Sequence, residues 1–431
     1  MWALAAMMSE SYIPFQELFY QRARKYADLD EMKHYGEHAC TVAHAQTWTL
    51  IAVYEMTNLY LARGFLSGRK ASALCISIGL NKLDGVGLTM SRLSSPAEDW
   101  IELEERRRTF WIVYVHDRYI CSGTGWTPAL DEQDIQTDLP IRDDHFANGI
   151  YSRGMKFSDA MTPAGARNVS TLASRAIMST LLARILSHVH RADALDQPID
   201  DMDNKFWKNY RHIENMLSNT ATYFPESVAV TSSAAFEDPN IVFWNLYIQA
   251  CTASLHQTAI FVSGKNPRLA KISSEAKLAC MGAAWETVKI IKQVRDEVLL
   301  KVREFLPSRK KGISHMILTV CGQTSPYTPF AVYCGARAFV LALRETSLGS
   351  QQSAAEVETL RESLRFLIAK LQLLRKTRPY TVTLLAQLDV DLESLGDLNP
   401  TGHITTVRPV WLAPFLMQEC ILISHFHRTK P

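Results

Sequence analysis

The chain lacks the cysteine spacing of a metal module. Its eight cysteines, Cys40, Cys75, Cys121, Cys251, Cys280, Cys321, Cys334 and Cys420, form no CxxC pair, and the nearest two stand thirteen apart. That spacing excludes a short-looped zinc module or disulfide framework and favours reduced, buried thiols in an intracellular compartment. Charge of one sign is missing as well. Lys and Arg number 46 against 44 Asp and Glu, a net of +2, so no whole-chain field draws the protein onto nucleic acid or anionic lipid. No stretch reaches the roughly 18 uninterrupted apolar residues of a membrane helix. The opening MWALAAMMSE has no basic residue ahead of its apolar patch, so a secretory signal is not expected and the protein is expected to be soluble. A GxSxG nucleophile elbow is absent. Ser263-Gly264-Lys265 lacks the upstream glycine and trailing Ser/Thr of a P-loop, and Gly123-Thr124-Gly125 follows a helical pattern rather than a strand. Strand alternation, internal repeats and low-complexity tracts are also missing.

What is present is helix. A hydrophobic content of 47% over 431 residues supports an extensive core. From Thr41 to Leu80 the apolar residues suit a buried helix pair, divided near Gly64 to Gly68. Leu278, Met281, Trp285, Val288, Ile291 and Val298 form a second stripe covering a core. Val357, Leu360, Leu364, Leu367, Leu371 and Leu374 form a third, opened by a Ser353/Glu356 capping box and ended before Pro379. The third stripe could dimerise as a coiled coil, but it runs under three heptads and reads better as an internal packing face. Turn signals cluster at Ser94–Pro96, Gly123–Pro128, Leu139 to about Ser170, Phe224–Asn240 and Ser325–Pro329. The predicted fold is an all-α, many-helix globule with long loop insertions, most economically one domain.

Two clusters could carry chemistry. His34, His38, Cys40 and His44 have the i, i+4 spacing that puts ligands on one helix face, but they match no closed zinc module and Tyr35-Gly36 weakens the helix. Asp200-Asp201-Met202-Asp203-Asn204 is similar to the aspartate-rich motif with which helical terpene synthases bind magnesium and diphosphate. No second metal motif accompanies it, and Pro198 makes the aspartates read as the acidic first turn of a helix entering Phe206 and Trp207. The magnesium-dependent diphosphate enzyme is therefore a distant alternative, and no catalytic, cofactor or metal residue is expected.

The stretch EERRRTFWIVYVHDRYICSGTGW, Glu104 to Trp126, is the most distinctive. Asp99 with Glu102 reads as the start of a helix running to about Cys121, which puts Glu104 one turn from Arg107 and Arg108. Between Glu98 and Pro140 ten acids surround the four arginines Arg106, Arg107, Arg108 and Arg118, a poor arrangement for binding phosphates. The arginines are expected to act as an internal clasp, reaching the acidic loop ALDEQDIQTDLP by bidentate carboxylate contacts. The residues assigned to this clasp are Glu104, Arg106, Arg107, Arg108, Phe110, Trp111, Asp117, Arg118, Gly125, Trp126, Asp134 and Pro140.

The wording of GRKASALCISIGLNKLDG, SSPAEDWIELEERRRTFWIVYVHDRYICSGTGW and DEQDIQTDLP resembles the fungal-specific transcription factor domain, the middle homology region of fungal zinc-cluster regulators. Within that family it is similar to the xylanolytic activator type, through His44–Ile51, Asp99–Trp111, Asp117–Tyr119, Gly123–Trp126 and Asp131–Pro140. Weaker likeness continues at LHQTAIF and SPYTPFAVYCGARAFV, so the domain is expected over 12–431 with its signature core at about 40–145. The order Trp126-Thr127-Pro128 departs from relatives that put proline directly after the tryptophan.

The resemblance implies an all-α regulatory or effector-responsive domain in the nucleus, controlling RNA-polymerase-II genes of carbohydrate utilisation or secondary metabolism. It also implies that zinc belongs to an N-terminal binuclear cluster, whose spacing this chain does not contain. DNA contact is then expected only through such a domain upstream or through partner regulators, the alternative being a cluster-less modulator of a full-length factor. A small-molecule effector is a further expected partner, with Trp244, Trp285 and Phe330 as candidate lining.

Overall fold

Where apolar residues recur at helical spacing the chain coils, and where proline and glycine cluster it turns. The computed structural model describes residues 1–7, 11–85, 95–124, 126–166, 169–193, 204–223, 236, 239–264, 266–300, 328–347 and 353–393. Among these residues the long elements are all helices: α1 (Gln16–Glu31), α2 (Val42–Thr57), α3 (Leu61–Ser77), α4 (Trp100–Thr124), α5 (Thr171–Asp193) and α6 (Lys205–Tyr223), then α7 (Pro239–Ser263), α8 (Ala270–Gln293), α9 (Thr328–Ser347), α10 (Ala354–Leu374) and α11 (Thr381–Glu393). One isolated antiparallel bridge, Leu139 with Met155, is the only β-type pairing among the described residues. The all-α expectation holds.

The helices pack in a continuous series. α1 lies on α2, α2 on α3, α3 on α4, α4 on α5 and α5 on α7, with α6 wedged between α5 and α7. α7 then carries α8 and α9, and α10 and α11 close the far end against α9. The largest fully buried side chains, among them Trp48, Trp111, Trp207, Trp244 and Phe339, run through one core from α2 to α9, and Arg108 is buried as completely as they are. An arginine in that company requires an explanation, because a buried charge is tolerated only when it is paired.

Local signals place the helices. Thr41 caps α2 by accepting from the His44 backbone N–H at 3.2 Å. Ser353 and Glu356 close the capping box of α10, which buries Leu360, Leu364, Leu367, Leu371 and Leu374 as its spacing predicts. Two expectations fail in an instructive way. The α2–α3 break falls at Asn58–Tyr60, with Leu59 at φ +64°, and not at Gly64 to Gly68. Both glycines lie inside α3, where a Cβ on Gly68 would stand 2.8 Å from Ile120 Cδ1 of α4. They serve close helix approach rather than a turn.

The stripe assigned to α8 is buried only in part, at Val288, Ile291 and Val298. Leu278 and Trp285 are exposed, Val298 belongs to a separate short helix (Asp296–Leu300), and the buried face is made of Ser273, Ala276, Cys280, Ala283, Ala284 and Thr287 with Val288, Ile290 and Ile291. Small residues let α8 approach α7 closely, leaving Leu278 and Trp285 at the margin.

Candidate functional site

Asp99 accepts a hydrogen bond from the Glu102 backbone N–H at 2.8 Å and so starts α4. One turn along, Glu104 and Arg108 reach the segment that follows the helix, and Arg107 lies beside them. Glu104 is buried and accepts from Arg107 Nη1 at 2.7 Å, Arg108 Nε at 2.9 Å and the Ile141 backbone N–H at 3.0 Å. Arg108 donates onward to Asp143 Oδ1 at 2.7 Å and to the Ile141 carbonyl at 2.8 Å, and its guanidinium lies over the Phe146 ring. Arg107 forks onto Asp84, at 2.6 Å and 3.3 Å. Burial works against the Arg107 charge, and the carboxylates of Asp84 and Glu104 more than offset it, so its pKa is raised.

A second knot sits lower on the same helix. Asp117 accepts from the backbone N–H groups of Ala129 and Leu130, at 2.9 and 3.2 Å, and from Arg69 and Arg118. Arg118 donates to the Leu130 carbonyl at 2.5 Å and covers the Tyr114 ring. Trp111 Nε1 donates to the Asp138 carbonyl at 2.7 Å while its ring stacks on Phe157. The α4 side chains thus hold the following segment mainly by its backbone, supplying acceptors to its N–H groups and donors to its carbonyls.

This differs from the expected arrangement, in which the arginines meet the loop's own carboxylates. Of the acids in ALDEQDIQTDLP, Glu132 pairs with Arg184 of α5, and Asp134 is exposed in the short turn Glu132–Asp134, outside the network. The bidentate carboxylate is Asp84, a residue the sequence reading did not single out. Its Oδ2 also accepts from the Asp138 N–H at 2.8 Å, which ties the end of the α3 region to the same segment. Thr137 adds to that tie by donating to the Leu80 carbonyl at 2.6 Å.

The other assigned residues fall around these knots. Arg106 pairs with Glu102 on its own helix at 2.6 Å and donates to the Ser95 carbonyl. Phe110 is fully buried against Trp111 and Tyr114. Trp126 packs edge-on to Phe65 of α3 at a centroid distance of 4.0 Å. The Pro140 carbonyl accepts from Ser170 Oγ at 2.8 Å, which caps α5. Gly125 lies outside the described residues.

Against this clasp lies a half-open cavity of about 1570 Å³, walled by α4, the Thr127–Ile141 segment, Tyr151–Met161, α5 and α6. Its lining mixes apolar Leu103, Phe157 and Met216 with polar Arg107, Arg184 and His188. That volume exceeds the roughly 300–1,000 Å³ of pockets that hold drug-sized ligands. Trp244, Trp285 and Phe330, the lining expected from sequence, are elsewhere: Trp244 is fully buried in the core and Trp285 sits half-exposed against Phe339.

The chemistry-bearing clusters do not assemble among the described residues. His34 and His38 lie edge to face while His44 turns to Thr41 and Asp30, and no group of three or more His, Cys, Asp or Glu side chains is arranged for a metal ion. Asp200 to Asp203 lie outside the described residues. Asn204 does not, and its Oδ1 accepts from the Phe206 N–H at 2.9 Å just ahead of α6, which begins at Lys205. Burial pushes the thiols of Cys121, Cys280 and Cys334 up to about 12. None of the three is an activated nucleophile. No helix among the described residues is long and apolar enough to cross a membrane.

A family model described as fungal specific transcription factor domain matches residues 3–222, which contain the clasp and every lining residue of the cavity. Among curated proteins the chain is 27% identical over 308 residues to the pigment biosynthesis transcriptional activator of Monascus ruber, covering 71% of this chain and 55% of that relative. It is 24% identical over 310 residues to the citrinin biosynthesis transcriptional activator of Monascus purpureus, covering 71% of this chain and 52% of that relative. Against the ascochitine biosynthesis cluster transcriptional regulator of Didymella fabae it is 30% identical over 187 residues, 43% of this chain and 32% of that relative. The chain thus spans about half the length of the first two. No solved structure matches.

Proposed function

The chain belongs to the fungal-specific transcription factor domain family, and from that premise we propose that it is the regulatory region of a nuclear regulator of RNA-polymerase-II transcription. Of the two gene classes the resemblance left open, secondary metabolism is favoured over carbohydrate utilisation, because the relatives are named for pigment, citrinin and ascochitine biosynthesis. The observation that carries the reading is the match over 3–222.

On this reading the arginines of α4 are internal architecture, DNA contact is made through another domain or a partner regulator, and the chain performs no catalysis. The cavity beside the clasp is the place we assign to a small-molecule effector, since a ligand there would touch α5, α6 and the clasped segment together. The test is deletion of the gene in its host with transcript profiling. A coordinated change in one cluster of biosynthetic genes is expected. An unchanged transcript profile under conditions where the gene is expressed would contradict the proposal.

A further inference from the structure

Helix α1 exposes an unusual number of large apolar residues. Several of its polar groups face the protein: Arg24 reaches the buried Glu55 and Ser67, Tyr20 Oη donates to Glu55 at 2.6 Å, and Asp28 and Glu31 pair with Lys70 of α3. Tyr20 and Ala27 are buried and Phe19 packs against the core, but the other large apolar residues of the helix and its two ends face solvent. Phe15, Leu18, Tyr26, Leu29 and Met32 are between 45% and 82% exposed, and ten of the nineteen large hydrophobics exposed among the described residues lie in the first 35. Exposed apolar side chains concentrated on one element in this way mark an interaction surface.

The stripe has a coiled-coil register. Phe15, Leu18, Arg22, Lys25, Leu29 and Met32 follow one another at alternating steps of three and four, so two cations occupy the middle of an apolar seam. Arg22 and Lys25 are exposed and make no ion pair among the described residues, whereas Asp28, Asp30 and Glu31 are already engaged by Arg24, Lys33 and Lys70. The free charge on this face is therefore positive. A second copy is a poor occupant: in parallel pairing Arg22 meets Arg22 and Lys25 meets Lys25, and in antiparallel pairing Arg22 meets Lys25. Like charges at the centre of a seam oppose association. An anionic bilayer is also disfavoured, because basic surface anchors use about 4–8 cations and this stripe offers two.

We propose that the outer face of α1 docks an acidic amphipathic helix of a partner protein, with apolar residues at 3–4 spacing and carboxylates at its two central seam positions.

The probe is a labelled helical peptide of about three heptads in that pattern, in a version with two central glutamates and a version with two central lysines. Binding to the full chain is read by fluorescence anisotropy, with circular dichroism confirming that each variant folds. The glutamate peptide should bind at least about tenfold more tightly than the lysine peptide. The preference should reverse in Arg22→Glu/Lys25→Glu, and both peptides should be lost in Leu18→Asp/Leu29→Asp. Equal binding of the two peptides, or no binding of either, overturns the proposal. So does self-association of the wild-type chain in sedimentation that Leu18→Asp/Leu29→Asp abolishes, which would give the face to a second copy. Flotation with phosphatidylserine vesicles that the same variant loses would give it to a membrane and overturns the proposal equally.

Discussion

Replacing Glu104 with alanine removes the one carboxylate that serves two buried arginines and a buried backbone N–H at once. Glu104 is 1% exposed and Arg108 is 0% exposed. After the substitution Arg108 keeps Asp143 and the Ile141 carbonyl, but loses the partner of its Nε, and the Ile141 N–H loses its acceptor. Breaking a buried ion pair from one side costs about 3–5 kcal/mol, because the remaining charge stays desolvated without compensation. Glu104→Gln should cost less, since an amide oxygen still accepts from Ile141.

A comparison variant, Glu358→Ala, removes a carboxylate whose pair with Arg365 is solvent-exposed, and should lose little. The assay is urea unfolding followed by tryptophan fluorescence, with limited proteolysis mapping cleavage in the Thr127–Asp143 segment. The reasoning is refuted if Glu104→Ala loses no more stability than Glu358→Ala, or if the segment is cut no faster than in wild type.

Three further outcomes follow from the same geometry. A double-variant cycle between Arg107→Met and Asp84→Asn should give a coupling of about 1–3 kcal/mol in unfolding free energy, and strict additivity would show that the forked pair contributes nothing. Burial lowers the His116 pKa to about 4, so between pH 6.5 and 4 the unfolded state takes up a proton that the folded state refuses, and stability falls as the pH drops through that window. The loss from pH 7 to pH 5 should be about 2 kcal/mol for this group, and His116→Gln should flatten the urea midpoint over that range; an unchanged pH dependence would contradict the assignment. Leu367→Ala, at a fully buried position of α10, should destabilise by about 2–5 kcal/mol by the same urea assay, and a loss under about 1 kcal/mol would mean that the α9–α10 packing relaxes around the cavity.

What the sequence made legible was what sequence proximity controls. The Glu104, Arg107 and Arg108 pairing is an i, i+3 and i, i+4 relation along one helix, and the Ser353/Glu356 cap is equally local, so both could be read directly. Asp84 could not, because a residue 23 positions upstream of Arg107 reaches it only through the packing of α3 on α4. Nor did counting acids in the loop reveal that α4 would grip backbone N–H and carbonyl groups. Every residue but proline carries both groups, so composition holds no record of which ones are used.

Glycine misled for a related reason. Gly64 and Gly68 carry the letter of a turn, but the space they leave is filled by Met56 and Ile120 from neighbouring helices. The α8 stripe held at Val288, Ile291 and Val298 but not at Leu278 and Trp285, where alanine and cysteine are buried instead, a choice made by interhelical distance rather than hydrophobicity. The cavity, formed where five successive segments of the chain fold around a common space, left no periodic trace at all.

The central claim, that this chain supplies regulation and not DNA reading, is tested most directly by tethering. The 431 residues are fused to a heterologous DNA-binding domain and reporter transcription is measured in a fungal host beside the unfused domain, with a gel-shift of the unfused chain on candidate promoters. The account predicts a change in reporter output that depends on the fusion, together with no specific DNA binding by the chain alone. Reporter output equal to that of the bare DNA-binding domain, or specific promoter binding by the unfused chain, would contradict it.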